Sequence, residues 1–198
     1  MGRRMKKEIL LFAISIILCV AIVSSCEKES KNLPQSNNFS IAPPPSITIG
    51  QNFGGGIVFY IDSTGRHGLI VSKVNQSFNI PWSNNNNSIV THATGTGVGW
   101  GRENTKVIVN IQGQGTYAAS ICDNLDISGY DDWYLPSKDE LHLLYQQKAS
   151  GKINLPDDFY WSSTEASQND AWSQSFSNGA NSSTDKHGNY SICAIRIF

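Results

Sequence analysis

Charge is scarce in this chain: 16% of its 198 residues are Asp, Glu, Lys or Arg, where an ordinary soluble domain has about 25%. Four Lys or Arg and one Glu fall in the first eight residues. Without them the 15 basic and 16 acidic residues become 11 and 15, a net charge of −4. Such a surface has no long-range attraction for nucleic acid or anionic lipid, and nucleic acid is not an expected partner. Cysteine is scarce too, with four. No Cys or His neighbours have zinc-site spacing, so no metal or other cofactor is expected. Gly54-Gly55-Gly56 is followed by Ile57-Val58-Phe59-Tyr60-Ile61 and not by Lys-Ser or Lys-Thr. It is therefore read as the tight approach to a buried strand and not as a phosphate cradle. No residue pattern specifies a reaction. Asp131-Asp132 and Asp157-Asp158 are adjacent pairs, which on a strand point to opposite faces. His142 has no nucleophile at a diagnostic spacing. The chain is expected not to be an enzyme. Asn, Ser, Gly and Thr are abundant, as suits a loop-rich extracytoplasmic protein.

No apolar run is long enough for a comfortable membrane span. Arg3, Arg4, Lys6 and Lys7 precede an apolar run over residues 9–23, the length of a signal-peptide core. Val23-Ser24-Ser25-Cys26 resembles a bacterial lipobox. That resemblance implies a lipoprotein signal peptide over residues 1–25, cleavage before Cys26 and lipidation of its sulfur. The acyl chains would anchor the protein to a membrane by burying methylenes. Residues 26–47 show no apolar periodicity and contain Pro43-Pro44-Pro45, so they read as a disordered Pro/Asn/Ser linker. Glu27-Lys28-Glu29 is similar to tags that send some lipoproteins to the outer face of the cell. It is equally an ordinary solvated start to a tether. The expected location is the cell envelope, as an outer-membrane lipoprotein.

The globular part is expected over residues 48–198. Its organising stretch is Gly129-Tyr130-Asp131-Asp132-Trp133-Tyr134-Leu135-Pro136-Ser137-Lys138-Asp139-Glu140-Leu141. Pro136 holds the residue before it extended. Ser137 and Glu140 have capping-box spacing, which starts a helix at Lys138. Leu141, Leu144 and Tyr145 give that helix an apolar face, and Gly151 stops it. Residues 57–61 and 67–71 read as a hairpin, with His67 a strand-end residue. Thr116 is expected to cap a helix whose face carries Ala118, Ile121, Cys122 and Leu125. Further strands are expected over residues 159–165 and 171–176 and at the C-terminus, where Cys193, Ile195 and Ile197 share a face. Cys122 and Cys193 remain after processing. An even pair in an exported protein suggests a disulfide, closing about 70 residues and worth up to roughly 4 kcal/mol. The alternative is two buried free thiols.

Two long polar stretches stand out. Residues 83–105 carry four asparagines at 84–87, then Gly and Thr with Trp100, Arg102 and Asn104. Residues 177–190 carry Asn181, Lys186 and His187. Long loops in compact domains are commonly functional or disordered. An aromatic face packs on a sugar ring while amides and guanidinium bond its hydroxyls. Trp100, Arg102, Asn104, Asn181, Lys186 and His187 are therefore the candidate ligand-binding residues. A solvated loop with a core tryptophan is the other reading of the first stretch.

Gly55-Gly56-Ile57-Val58-Phe59-Tyr60, Gly129 to Ser137, Tyr160-Trp161-Ser162-Ser163-Thr164-Glu165, Ala171-Trp172 and Ala194-Ile195-Arg196 together resemble the Lcl C-terminal domain family, across most of residues 48–198. The resemblance implies an α+β, C-type lectin-like fold, also similar to sulfatase-modifying-factor domains. It would have a mixed, mostly antiparallel sheet, two helices and long loops. It also implies a bridge from helix to last strand at Cys122 and Cys193. The family's namesake is the end domain of a collagen-like adhesin that binds sulfated glycosaminoglycans through a basic surface. The acidic excess here does not supply that surface. The Glu-Pro-Asn, Gln-Pro-Asp and Trp-Asn-Asp triplets of calcium-dependent lectins do not occur, so a calcium-bridged sugar is not expected. The oxidase relatives need an active-site cysteine pair, which Cys122 and Cys193 match less well than a structural bridge. The expected function is non-catalytic: a lectin-like module on the bacterial surface, for adhesion or for binding a host or bacterial glycan or surface protein. The alternative is a structural envelope component that packs on another envelope protein or filament.

Overall fold

The computed structural model describes residues 46–73, 77–84 and 89–198. The expected signal peptide, Cys26, the linker up to residue 45 and residues 85–88 of the asparagine stretch lie outside these. Pro45–Phe198 forms a compact unit. Strands β1 (Asn52–Phe53) and β2 (Gly56–Ile61) are joined by Gly54 and Gly55, at φ 54° and 87°. Two left-handed residues in a two-residue loop make a type I′ turn, which glycine adopts without strain. At Gly56 a Cβ would lie 2.2 Å from the carbonyl oxygen of Val71. The triple glycine is hairpin chemistry followed by a close backbone approach. β3 (Gly68–Ser72) runs antiparallel to β2 and to the C-terminal β9 (Ile195–Ile197), giving a sheet in the order β1-β2-β3-β9.

A second sheet comprises β4 (Ser77–Ile80), β5 (Phe159–Glu165), β6 (Asp170–Ser175), β7 (Asn181–Asp185) and β8 (Tyr190–Ile192), in the order β4-β8-β5-β6-β7. β5 and β8 run parallel and the other pairs antiparallel. Among the described residues there are also three helices: α1 (Trp100–Gln112), α2 (Ala118–Asp123) and α3 (Lys138–Ala149). The class is α+β, with one helix more than expected. None of the helices among the described residues is long and apolar enough to cross a membrane.

The cap on α3 is the expected one. Ser137 Oγ accepts the Glu140 N–H at 3.3 Å, and Glu140 Oε2 accepts the Ser137 N–H at 2.8 Å. Leu141 and Leu144 are buried, and Gly151 follows the helix at φ 74°. α2 departs from expectation. It starts after Tyr117 and not at Thr116; the Tyr117 side chain makes no cap bond and its hydroxyl donates to Gly113 O at 2.6 Å.

Trp133, Tyr134 and Leu135 form the wedge between two cores. Extended residues alternate in direction. Trp133 and Leu135 enter the core built on Trp82, Ile108 and Trp161, and Tyr134 enters the one built on Phe59, Tyr160 and Phe176. The expected bridge between Cys122 and Cys193 is not formed: both are free, buried thiols. Cys122 packs in the first core and Cys193 in the second. Burial pushes both thiols up, Cys193 to about 12, and a thiolate at Cys193 would push Cys122 further. Both act as small apolar side chains.

Candidate functional site

Trp100, Arg102 and Asn104 open a helix and do not lie on a loop. At about 100° per residue, Trp100 and Asn104 share a side of α1 while Arg102 faces away. The buried stripe of α1 is Gly101, Asn104, Thr105 and Ile108. Its spacing is helical but one member alone is apolar, so hydrophobic periodicity does not reveal it. Gly99 precedes it at φ 92°, with no side-chain cap.

Residues 89–99 lead into that helix without regular structure. Their backbone is gripped nonetheless by groups of α1, α3 with its cap and β5, and by Lys186 just after β7. Lys186 donates through Nζ to Ile89 O at 3.1 Å. Glu165 accepts the N–H of Thr91 at 2.8 Å and of His92 at 2.8 Å, and its own N–H donates to Ala93 O at 2.8 Å. Thr164 Oγ1 donates to Gly95 O at 2.8 Å. Asn104 donates to the same oxygen at 2.7 Å and accepts the Gly95 N–H at 3.2 Å. The Asp139 N–H donates to Thr96 O and Ser137 Oγ donates to Gly97 O, both at 2.9 Å. Glu140 Oε1 accepts the Gly99 N–H at 2.8 Å. An irregular segment can be ordered when its backbone groups find partners in this way.

The side chains of this segment alternate. Thr91 and Ala93 are buried and Gly95 and Gly97 half-buried, while His92, Thr94, Thr96, Val98 and Trp100 are exposed. Trp100 is 55% exposed and Val98 46%. The Trp100 ring rests against Gly95, where a Cβ would come within 2.5 Å of it. Val98 also lines a shallow, mostly apolar cleft of about 200 Å³ with Tyr60, Leu69 and Ile197, and with Asp62 and His67. His67, expected as a strand-end residue, thus lines a cleft beside the row. Hydrogen bonds from Thr64 hold Asp62 below the usual carboxylate range.

The two buried carboxyl groups of the grip differ. Burial pushes Glu140 up, opposed by the hydrogen bonds it accepts from Ser137 and Gly99. Glu165 is paired with Lys186 at 2.6 Å, and both side chains are buried. Lys186 also donates to Gln168 O at 2.8 Å and sits 4.7 Å from the Trp82 ring centre.

The six sequence candidates therefore separate. Asn104 and Lys186, expected on a ligand-facing surface, are instead buried, with their polar atoms committed to the grip. His187 is partly exposed and pairs through Nδ1 with Asp185 at 2.8 Å. Asn181 is exposed at the start of the edge strand β7, and Arg102 is exposed on the far side of α1. No hydrogen bond or ion pair among the described residues joins Trp100 or Arg102 to Asn181 or His187. Residues 177–190 are not one loop, since β7 lies within them. Val98 and the clamping role of Glu140 were missed. The capping box pointed to Glu140 but not to its second partner. Among the described residues no group of three or more His, Cys, Asp or Glu is placed to hold a metal ion.

A search of curated proteins returns no match. A fimbrial protein from Bacteroides ovatus, known from a crystal structure, is similar at a TM-score of 0.47 and 16% identity, over 66% of this chain and 35% of that one. This chain thus spans about a third of that protein's length. The profile of the Lcl C-terminal domain matches residues 78–196, more than half of the chain, including all three helices and the gripped segment before α1. This chain belongs to the Lcl C-terminal domain family.

Proposed function

We propose that this chain is a non-catalytic binding module of the bacterial cell envelope, and that it meets a glycan or a surface protein with the row from His92 to Trp100. The observation that carries this reading is the exposed Trp100 indole at the end of a segment whose backbone is fixed. A large exposed aromatic costs an isolated domain apolar surface in water, and binding recovers it. Fixing the backbone beforehand removes the ordering cost that a flexible loop would incur on association. The α+β arrangement, with irregular segments reaching out from two sheets, is read here as C-type lectin-like. Lipidation at Cys26 would hold the domain at the outer membrane, and the linker would hold it off the surface.

The test is a glycan-array and matrix-protein screen with residues 48–198, the protein and its Trp100→Ala variant side by side. The expected result is a ligand that the variant loses, with folding stability unchanged to within about 0.5 kcal/mol. Silence across broad panels, or equal binding by the variant, would count against the reading.

A second reading rests on β7. It pairs with β6 along all five residues without a bulge and forms the exposed edge of its sheet. Such an edge can accept a strand from another chain. The protein would then be a structural envelope component packed on another envelope protein or filament. Cross-linking from position 183 in intact envelopes distinguishes this reading, which predicts a specific adduct there and none from position 100.

A further inference from the structure

The side of α1 opposite Trp100 forms a different environment. Arg102 and Lys106, one turn apart, line a cleft of about 240 Å³ together with Asp123 at the end of α2 and with Asp131, Asp132 and Tyr134. Its walls are fixed to each other. Thr105, beside Lys106, accepts the Leu135 N–H at 3.0 Å and donates to Gly101 O at 2.8 Å. Tyr134 exchanges backbone hydrogen bonds with Ile195 at 2.8 and 2.9 Å.

Two of the charges are already paired. Asp132 receives the guanidinium of Arg196 through two bonds, 2.6 and 3.0 Å long. Lys106 pairs with Glu103 at 3.1 Å on the exposed surface. The rest are unpaired: Arg102, Asp123 and Asp131 make no side-chain hydrogen bond or ion pair among the described residues. Burial pushes the Asp123 carboxyl up, against a downward pull from Lys106. It is half-buried and has no cation in contact.

A simple anion in this cleft would meet Arg102 but also face Asp123 and Asp131. A simple cation would meet the aspartates but face Arg102. A ligand carrying both signs satisfies every unpaired group, and mismatched charges reject the alternatives. The volume is below the range of about 300–1,000 Å³ typical of drug-sized ligands, so the ligand is small. We propose that this cleft binds a small zwitterion with the chemistry of a free amino acid, its carboxylate on Arg102 and its ammonium on Asp131 and Asp123. The site lies on the far side of α1 from Trp100 and does not depend on the surface reading given above.

Isothermal titration of the full chain in detergent micelles tests this, with glycine, L-alanine and L-lysine as probes and acetate and methylamine as single-charge controls. At least one amino acid should bind about tenfold or more tightly than either control. Arg102→Ala and Asp131→Asn, both at exposed side chains, should each weaken that binding about tenfold without moving the urea midpoint. The proposal is overturned if none of the three amino acids gives heat, or if acetate or methylamine binds as well as they do. Unchanged affinity in both variants overturns it too.

Discussion

Glu140 Oε1 accepts the N–H of Gly99 at 2.8 Å while Glu140 Oε2 accepts the N–H of Ser137 at the same distance. One buried carboxylate therefore closes the cap of α3 and fixes the turn that presents Trp100. At Gly101 a Cβ would stand 2.2 Å from Glu140 Oε2, so the residue after Trp100 must be glycine for the two helices to meet there.

Glu140→Gln should destabilise the domain by about 1–3 kcal/mol, because an amide turns one acceptor into a donor among donors. Gly99 N–H, Ser137 N–H and the Tyr134 hydroxyl all point at this side chain. Urea denaturation measures it. A midpoint indistinguishable from that of the unchanged protein would show that Glu140 does not hold the turn.

The same pair of proteins carries a pH signature. Burial raises Glu140 above its ordinary 4.5. The folded state then holds this proton more tightly than the unfolded chain does, so the contribution of Glu140 is fullest below the unfolded value and falls as pH rises through the folded one. Relative to Glu140→Gln, the unchanged protein should lose stability as pH rises from about 4.5 through the raised folded-state value. A difference in urea midpoint that grows towards neutrality would contradict this assignment.

Lys186→Met should cost about 3–5 kcal/mol, since it strands Glu165 as a buried charge without its cation. Adding Glu165→Gln should recover part of the loss. Hydrogen exchange should also speed up at the amides of Thr91 and His92, which Glu165 holds. A loss below about 1 kcal/mol would place the pair nearer to solvent than its burial implies.

Cys122 and Cys193 are both buried, and burial raises both thiols. In residues 48–198, which contain no other cysteine, neither should react with an alkylating reagent at neutral pH while folded. Both should react after unfolding without reductant. Mass spectrometry showing no free thiol after such unfolding would restore the disulfide.

Elements written in local chemistry were legible in the sequence. The capping box, the glycine-rich hairpin, the wedge and β5 each follow from a few adjacent residues. α1 was not legible, because its buried stripe uses Gly101, Asn104 and Thr105 where a core helix usually places aliphatic residues. That one loss put Trp100, Arg102 and Asn104 together on a loop, since loop residues can converge where helical residues two apart cannot. Lys186 misled for a related reason. Lysine is almost never fully buried unless paired, and its partner Glu165 lies 21 positions away in the chain. Val98 carries no signal in the sequence beyond a lone aliphatic between two glycines.

The bonds that hold residues 89–99 to α1, α3, β5 and Lys186 all end on main-chain nitrogen or oxygen in the segment. None of them reads the identity of His92, Thr94, Thr96, Val98 or Trp100. Four of those letters can be rewritten while the scaffold beneath keeps its shape; His92, at φ 61°, is confined to the residue types that tolerate a left-handed backbone.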